Sequence, residues 1–392
     1  MQFSDFELEF TASSAAHVSA LQSAVAAYLA ASADLPAQLD ELLSDDPDMP
    51  LALCFQGYLL KLAAHPGLQP TITEIVQRAA RSAAHANRRE QQHIHALQAW
   101  DSGDVNTALA CLEAITDEYP QDMIALRLAH YMHFYNGSGA AMAASTGKVL
   151  DQWPVAHPHY SFLLGMHAFG LEEQADYRGA AHYAQAALAI NRHDLWSIHA
   201  MAHVYYMQHQ HDQGLQWLAD QADVMPGTNN FRHHLSWHQA LHHLACEDYA
   251  AVLAVYDSAL AASTGDDFYL DMCNNAAILW RLEAARVDVG DRWQPLAELA
   301  SQHVADRELV FASLHYLLPL IRTASPAARA FMQGLNEWAD DETHQAQVVR
   351  AVGLPVAERL LATQQHEFPP AESLHRLGGS KAQRELFALV AS

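Results

Sequence analysis

Apolar residues recur at i, i+3, i+4 and i+7 through most of the chain, and no alternating stretch persists long enough to argue for a sheet, so the pattern predicts an all-α protein. Polar or proline-bearing turns interrupt it at Tyr119-Pro120-Gln121-Asp122, Trp153-Pro154, His157-Pro158, Asn191-Arg192-His193-Asp194 and Met225-Pro226-Gly227. Between these turns the spacing predicts helix pairs beginning near residues 88, 122, 157, 194 and 229. Before them, helical stretches at 15–31, 50–64 and 70–87 follow a weaker period. After about residue 264 the period is lost, while helical patterning continues through Leu270–Arg286, Trp293–His303, Glu308–Arg322, Ala327–Trp338 and Val348–Ala362.

The clearest unit runs from Asp176-Tyr177 through Ala184, Ala187 and Leu188 to Asn191, with small residues where two helices must approach closely. That is the tetratricopeptide pattern. The expected architecture is therefore a tetratricopeptide-like α-solenoid of antiparallel helix pairs. Residues 1–87 form an N-terminal cap or degenerate repeat, 88–264 the repeats proper, and 265–392 a C-terminal helical region that extends or closes the superhelix.

Five histidines lie at nearly equal intervals: His95, His130, His167, His203 and His238, separated by 35, 37, 36 and 35 residues. Two rungs are doubled. His199 accompanies His203 and His234 accompanies His238, each pair spaced i,i+4 and the pairs 35 residues apart. Residues four apart share a helical face, and packed helices lie about 8–10 Å apart, so four imidazoles are expected on one patch of the concave groove. Glu173 ends the preceding first helix, and Asp271 lies 33 residues after His238, near the start of the next one. Neutral imidazoles with one or two carboxylates suit a divalent transition metal such as zinc, iron or manganese. Without metal, the same groups suit proton transfer. A packing role, or a pH-dependent switch, is the alternative for histidines on such helices. His242, near the end of the His238 helix, is expected at a surface or rim.

Composition narrows the partners. The 392 residues carry 21 Lys and Arg against 45 Asp and Glu, a net charge of −24 with histidine neutral, and the only lysines are Lys61, Lys148 and Lys381. Nucleic acid and anionic membrane are excluded, because both require clustered cations. No run of eighteen apolar residues is present, and Met1 to Glu9 lacks the basic-then-apolar order of a secretory signal. Cys54, Cys111, Cys246 and Cys273 are scattered without a C-x-x-C pair, so reduced thiols in a cytoplasmic protein are expected. No nucleotide, flavin or serine-hydrolase motif occurs.

Trp196-Ser197-Ile198-His199-Ala200-Met201-Ala202-His203-Val204 and Trp237-His238-Gln239-Ala240-Leu241 resemble the tetratricopeptide repeat protein 38 family. Matches continue in order through Phe169-Gly170-Leu171 with Glu173, Leu270-Asp271, Leu279-Trp280-Arg281-Leu282, Arg292-Trp293, His303, Phe311 with His315, Val352-Gly353-Leu354-Pro355, and Gly378-Gly379-Ser380 with Ala382-Gln383-Arg384. They span roughly residues 90 to 387. Ser313 stands where the family pattern has an acid. The resemblance implies a tetratricopeptide-like fold and a cytosolic location, and it supports the doubled rungs more than His95, His130 or His167.

The reading that follows is a pocket that binds a small anionic molecule and offers it acid/base or metal-assisted chemistry. His199, His203, His234 and His238 act as catalytic groups or metal ligands, and Glu173 and Asp271 orient them. Trp237, His315, Ser380 and Arg384 line the ligand site, with Arg384 anchoring its anionic group. The alternative is a scaffold that takes a peptide, basic given the charge, in the groove. A homo-oligomer is compatible with either.

Overall fold

A computed structural model of the chain describes residues 1–362 and 367–391. A hairpin of β1 (Gln2–Asp5) and β2 (Leu8–Thr11) leads into α1 (Ala15–Leu29), α2 (Leu35–Asp45), α3 (Pro50–Leu62) and α4 (Gln69–Ser82). Antiparallel pairs follow: α5 (Arg88–Asp101) with α6 (Val105–Glu118), α7 (Met123–Tyr135) with α8 (Gly139–Gly147), and α9 (Tyr160–Glu173) with α10 (Tyr177–Ile190). The series continues with α11 (Leu195–Met207) and α12 (His211–Ala219), α13 (Phe231–Ala245) and α14 (Tyr249–Val255), α15 (Tyr269–Ala284) and α16 (Trp293–Ala300), and α17 (Val310–Arg322) and α18 (Ala327–Ala339). The chain ends in α19 (His344–Val348), α20 (Leu354–Leu360), a 3-10 turn at Ala371–Leu377, and α21 (Lys381–Ala391).

The protein is thus all-α and tetratricopeptide-like, as the periodicity predicts. Two elements escape the sequence pattern. The hairpin strands have four residues each, too short for a period of two to register, and α2 carries its apolar positions on one narrow face (Leu35, Leu39, Leu42, Leu43).

One local device builds every pair. From α5–α6 through α17–α18, among the described residues, the first helix ends in a left-handed residue: Gly103, Gly137, Ala175, His209, Glu247, Arg286 and Ala324. Its N–H donates to the carbonyl three residues back, and the next N–H to the carbonyl five back, for example Glu247 N to Leu244 O (3.0 Å) and Asp248 N to His243 O (3.0 Å). This Schellman closure satisfies carbonyls that the helix end would otherwise strand. The following residue often caps the second helix, as Asp104, Ser138, Asp176 and Asp248 do. Ala31 ends α1 in the same way, with Ala31 N on Tyr28 O (3.0 Å) and Ser32 N on Ala27 O (2.8 Å), so the N-terminal helices obey the repeat's local rule. Only glycine takes this conformation freely. Glu247→Gly, at an exposed turn with φ 60°, is expected to stabilise the protein by about 0.5–1 kcal/mol. An unchanged or lower urea midpoint for E247G would contradict that.

Second helices are amphipathic; α10 buries only Ala180, Ala184 and Ala187. First helices are covered on nearly every side, α9 from Ser161 to Gly170 and α11 from Leu195 to Val204. The reason is that the superhelix closes on itself. Residues Ala31 to Ala33 pair with Gly227 to Asn229 (Asn229 N to Ala31 O 2.7 Å, Ala33 N to Gly227 O 3.0 Å), and Lys61 reaches Glu308 (3.6 Å). From the other end, α21 enters the groove. Arg281 Nη2 donates to Ala382 O (2.7 Å), Tyr206 Oη to Glu385 Oε2 (3.3 Å), and Lys381 N to Glu173 Oε1 (3.0 Å). Gly378 and Gly379 make this approach possible, since a Cβ on Gly379 would lie 2.5 Å from Phe311 and one on Gly378 2.8 Å from Tyr135 O. Among the described residues, no helix is long and apolar enough to cross a membrane.

Candidate functional site

Helices α11 and α13 are successive first helices, and their register brings the two i,i+4 pairs together. Asp194 fixes the start of α11, its Oδ1 accepting from Trp196 N (3.0 Å) and Ser197 N (3.3 Å) and its Oδ2 from Ser197 Oγ (2.6 Å). His199, His203, His234 and His238 are all buried and can each offer a nitrogen such that the four lie within 4.8 Å of one another. Ring centroids are 4.5 Å apart for His199–His203, 4.4 Å for His203–His238 and 5.0 Å for His199–His234. His199 Nε2 stands 3.1 Å from both His203 Nε2 and His234 Nε2.

Neutral imidazole nitrogen carries either one proton or one lone pair, so a single Nε2 makes one in-plane hydrogen bond. His199 Nε2 has two such neighbours, while both nitrogens of His238 and the Nδ1 atoms of His199 and His203 are buried without a hydrogen-bond partner. Burial holds His203 down to about 4 and His234 to about 3, and it pushes His199 and His238 well below the ordinary histidine value, helped by the neighbouring imidazoles. All four are therefore neutral at pH 7, with lone pairs available.

The surroundings differ from the sequence expectation in their details. Asn274, not Asp271, meets the tetrad: His234 Nδ1 donates to Asn274 Oδ1 (2.9 Å), which leaves His234 Nε2 as the lone-pair nitrogen. Asp271, one turn earlier on α15, instead accepts from Asn230 Nδ2 (2.8 Å), and burial pushes it up to about 7. Glu172, not Glu173, faces His203, with Oε2 3.5 Å from Nδ1, and burial pushes Glu172 up to about 8. Glu173 is turned toward α21, accepting from Lys381 N (3.0 Å) and pairing with Arg384 (3.4 Å), although it can still offer an oxygen to a cluster with Glu172 and His203. A helix rotates successive residues by about 100°, so a one-residue error in register exchanges these partners.

A cavity of about 550 Å³ abuts the tetrad through His199 and His234. Trp196, Phe231, Tyr131, Phe134 and Tyr28 line it together with Arg127, and Ser380 and Gln383 form part of its wall on the α21 side. Ser380 thus reaches the cavity, as expected, while capping α21 through Gln383 N to Ser380 Oγ (3.2 Å). The other three expected ligand residues do not line it. Trp237 is fully buried behind the tetrad, stacked on His234 at 5.2 Å. His315 donates Nδ1–H to Phe311 O (2.8 Å) and packs on Phe387. Arg384 is held by Glu173 and the Gly379 carbonyl. Trp196 and Arg127 line it instead, and nothing in the local pattern of α7 marks Arg127.

The remaining rungs separate. His130 is buried beside Phe169 and Trp196, and His167 meets Thr146 Oγ1 (3.0 Å). His95 is exposed near Cys111, and its neighbour His93 takes the interior, with Nε2 3.1 Å from Asp122 Oδ2. His242 is fully buried rather than at a rim, packed on Gly214 and close to His211 (3.3 Å).

No family model matches the chain. A solved structure, the TPR domain of P58(IPK), is similar at 14% identity over 90% of this chain and 100% of that chain, with a TM-score of 0.22. The fold assignment rests on the helix pairs and their turns.

Proposed function

We propose that the protein binds one divalent transition metal on His199, His203, His234 and His238, and binds a small anionic molecule in the adjoining cavity. The observation that carries this is the oversubscribed His199 Nε2, 3.1 Å from two other imidazole nitrogens. Two nitrogens bound to one metal at about 2.0–2.1 Å lie roughly 2.8–3.4 Å apart for angles between octahedral and tetrahedral. A cation at the convergence gives lone pairs a partner where neutral rings alone leave several atoms unsatisfied. Asn274 supplies the outer hydrogen bond that orients a metal-bound imidazole. Because His199 and His234 border the cavity, a bound molecule would meet the metal there, and the chemistry such a centre offers is Lewis-acid polarisation or activation of water. Membership of the tetratricopeptide repeat protein 38 family and a cytoplasmic location belong to the same proposal.

Arrays of this architecture commonly act as interaction scaffolds, so a peptide-binding role is the alternative. The concave face that would receive the peptide is occupied by α21 and bridged by residues 31–33, which favours the small-molecule reading. Elemental analysis and native mass spectrometry of the full chain, purified without chelator and separately reloaded with zinc, manganese, iron or cobalt, test it. One metal per chain is expected in the wild type, with loss of at least nine-tenths of it in His199→Ala and His238→Ala. Metal-free protein under every loading condition, with a stoichiometric peptide partner recovered instead, would sink the proposal.

A further inference from the structure

Arg127 presents a separate problem of charge. It is 5% exposed, its Nε has no partner, and among the described residues no carboxylate forms an ion pair with it. It donates to Tyr131 Oη (3.3 Å) and lies over the faces of Trp196 (4.0 Å), Tyr131 (4.8 Å) and Tyr28 (5.9 Å). Asp194 is the carboxylate that feels its charge, but both Asp194 oxygens are spent on the start of α11. A buried guanidinium without a counter-ion is costly, and cation–π contacts offset only part of that cost.

The neutral groups around it offer hydroxyl and indole hydrogens but no negative charge. Tyr28 Oη and Trp196 Nε1 are buried without a partner, and both residues line the same cavity as Arg127. A guanidinium without a carboxylate, with a hydroxyl and an indole N–H on the same cavity wall, suits an anion, and a single guanidinium balances a single negative charge. Much of the remaining wall is ring faces, Trp196 and Phe231 lying nearly parallel at 5.5 Å with Tyr131 and Phe134 extending the surface, alongside leucines, Asn229, Asn230 and Asp266. Flat π-systems are the bodies that such walls receive with specific geometry.

We infer that the cavity takes an aromatic carboxylate, its anionic end held by Arg127 with Tyr28 and Trp196, and its ring system lying across Trp196 and Phe231 toward His199 and His234. The inference rests on the small-molecule reading of the cavity but not on the metal. A guanidinium pairs with a carboxylate in a planar, two-point contact. A dianionic phosphate would leave one charge uncompensated by Arg127. The cavity volume, about 550 Å³, lies within the range of ordinary small-molecule pockets and exceeds what a two-ring acid needs.

The test uses the full chain stripped of metal and titrated with 2-naphthoate, its neutral isostere 2-naphthamide, and decanoate, with binding read by calorimetry and tryptophan fluorescence. Naphthoate is expected to bind at least tenfold more tightly than naphthamide or decanoate, and Arg127→Gln to abolish the preference over naphthamide while Arg127→Lys keeps part of it. Equal binding of the acid and the amide by the wild type overturns the anion site even if R127Q does not fold. Tighter binding of decanoate overturns the aromatic body. Repeating the titration on His238→Ala separates the two proposals: the Arg127-dependent preference should persist there, whereas a protein that holds metal but shows no preference for the acid leaves the metal proposal standing and removes this one.

Discussion

Moving the metal-free protein from pH 7 to pH 5 is expected to lower its stability by several kcal/mol. The tetrad histidines are neutral in the folded protein because burial, reinforced by their mutual proximity, depresses their affinity for protons, to about 4 for His203 and about 3 for His234, with His199 and His238 also well below normal. Unfolded, each titrates near pH 6.5. A depressed folded value contributes stability that is present above the unfolded pKa and lost as pH falls below it. At pH 5 the loss is about 2 kcal/mol per histidine, or roughly 7–8 kcal/mol for the four. His130, His242 and His315 are shifted the same way.

Glu172 and Asp271 act in the opposite sense, as do Asp194 and Glu173, whose carboxyls burial also raises. Burial raises the first two to about 8 and about 7, so their contribution is complete at low pH and is lost as pH rises through those values. Between pH 7 and pH 5 those two return roughly 5 kcal/mol. The tetrad set against Glu172 and Asp271 leaves a net loss of roughly 2–3 kcal/mol, which His130, His242 and His315 increase, against the roughly 5–15 kcal/mol that holds a domain together. Urea midpoints measured from pH 5 to pH 8 should fall steeply below pH 6.5, and the fall should begin at lower pH once zinc is bound, because metal and proton compete for the same lone pairs. A flat profile over that interval would remove the tetrad's buried neutral state.

Asp122→Asn is the point substitution expected to do most damage. Asp122 begins α7, where Oδ1 accepts from Ala125 N (2.9 Å), and its Oδ2 takes Arg89 and His93 Nε2 (3.1 Å), all three side chains nearly inaccessible. Burial alone would raise this carboxyl, but His93 and Arg89 together hold it well below the ordinary range. Asparagine caps a helix about as well as aspartate, so the substitution removes the charge and little else. Arg89 would keep only the Glu9 carbonyl (2.7 Å), leaving a buried cation uncompensated. The expected loss is about 3–5 kcal/mol, and Arg89→Met combined with D122N should recover a large part of it. If D122N unfolds within 1 kcal/mol of the wild type by urea denaturation, at the precision such measurements allow, the pairing does not carry the load assigned to it.

How much of this can be read from sequence depends on how local the cause is. The helix pairs are legible because a period of 3.6 and a recurrence near 35 residues are written into neighbouring positions. The predicted starts at 88, 122, 157, 194 and 229 lie within three residues of the observed Arg88, Met123, Tyr160, Leu195 and Phe231. The meeting of His199, His203, His234 and His238 is legible for the same reason: i,i+4 within a helix, and one repeat between helices, are both local rules.

What the sequence by itself determined, then, is the all-α repeat and the histidine cluster inside it. Only the tertiary structure decided the rest. Glu172 and Asn274 replace Glu173 and Asp271 beside the imidazoles because the rotation of one helix against the next selects the partner, and residue spacing leaves that rotation open by a position or a turn. Arg127 becomes an uncompensated cation because the superhelix curls far enough for residues 31–33 to meet 227–229 and for α21 to fill the groove. That curvature accumulates from small rotations over many repeats, and no single stretch of chain records it.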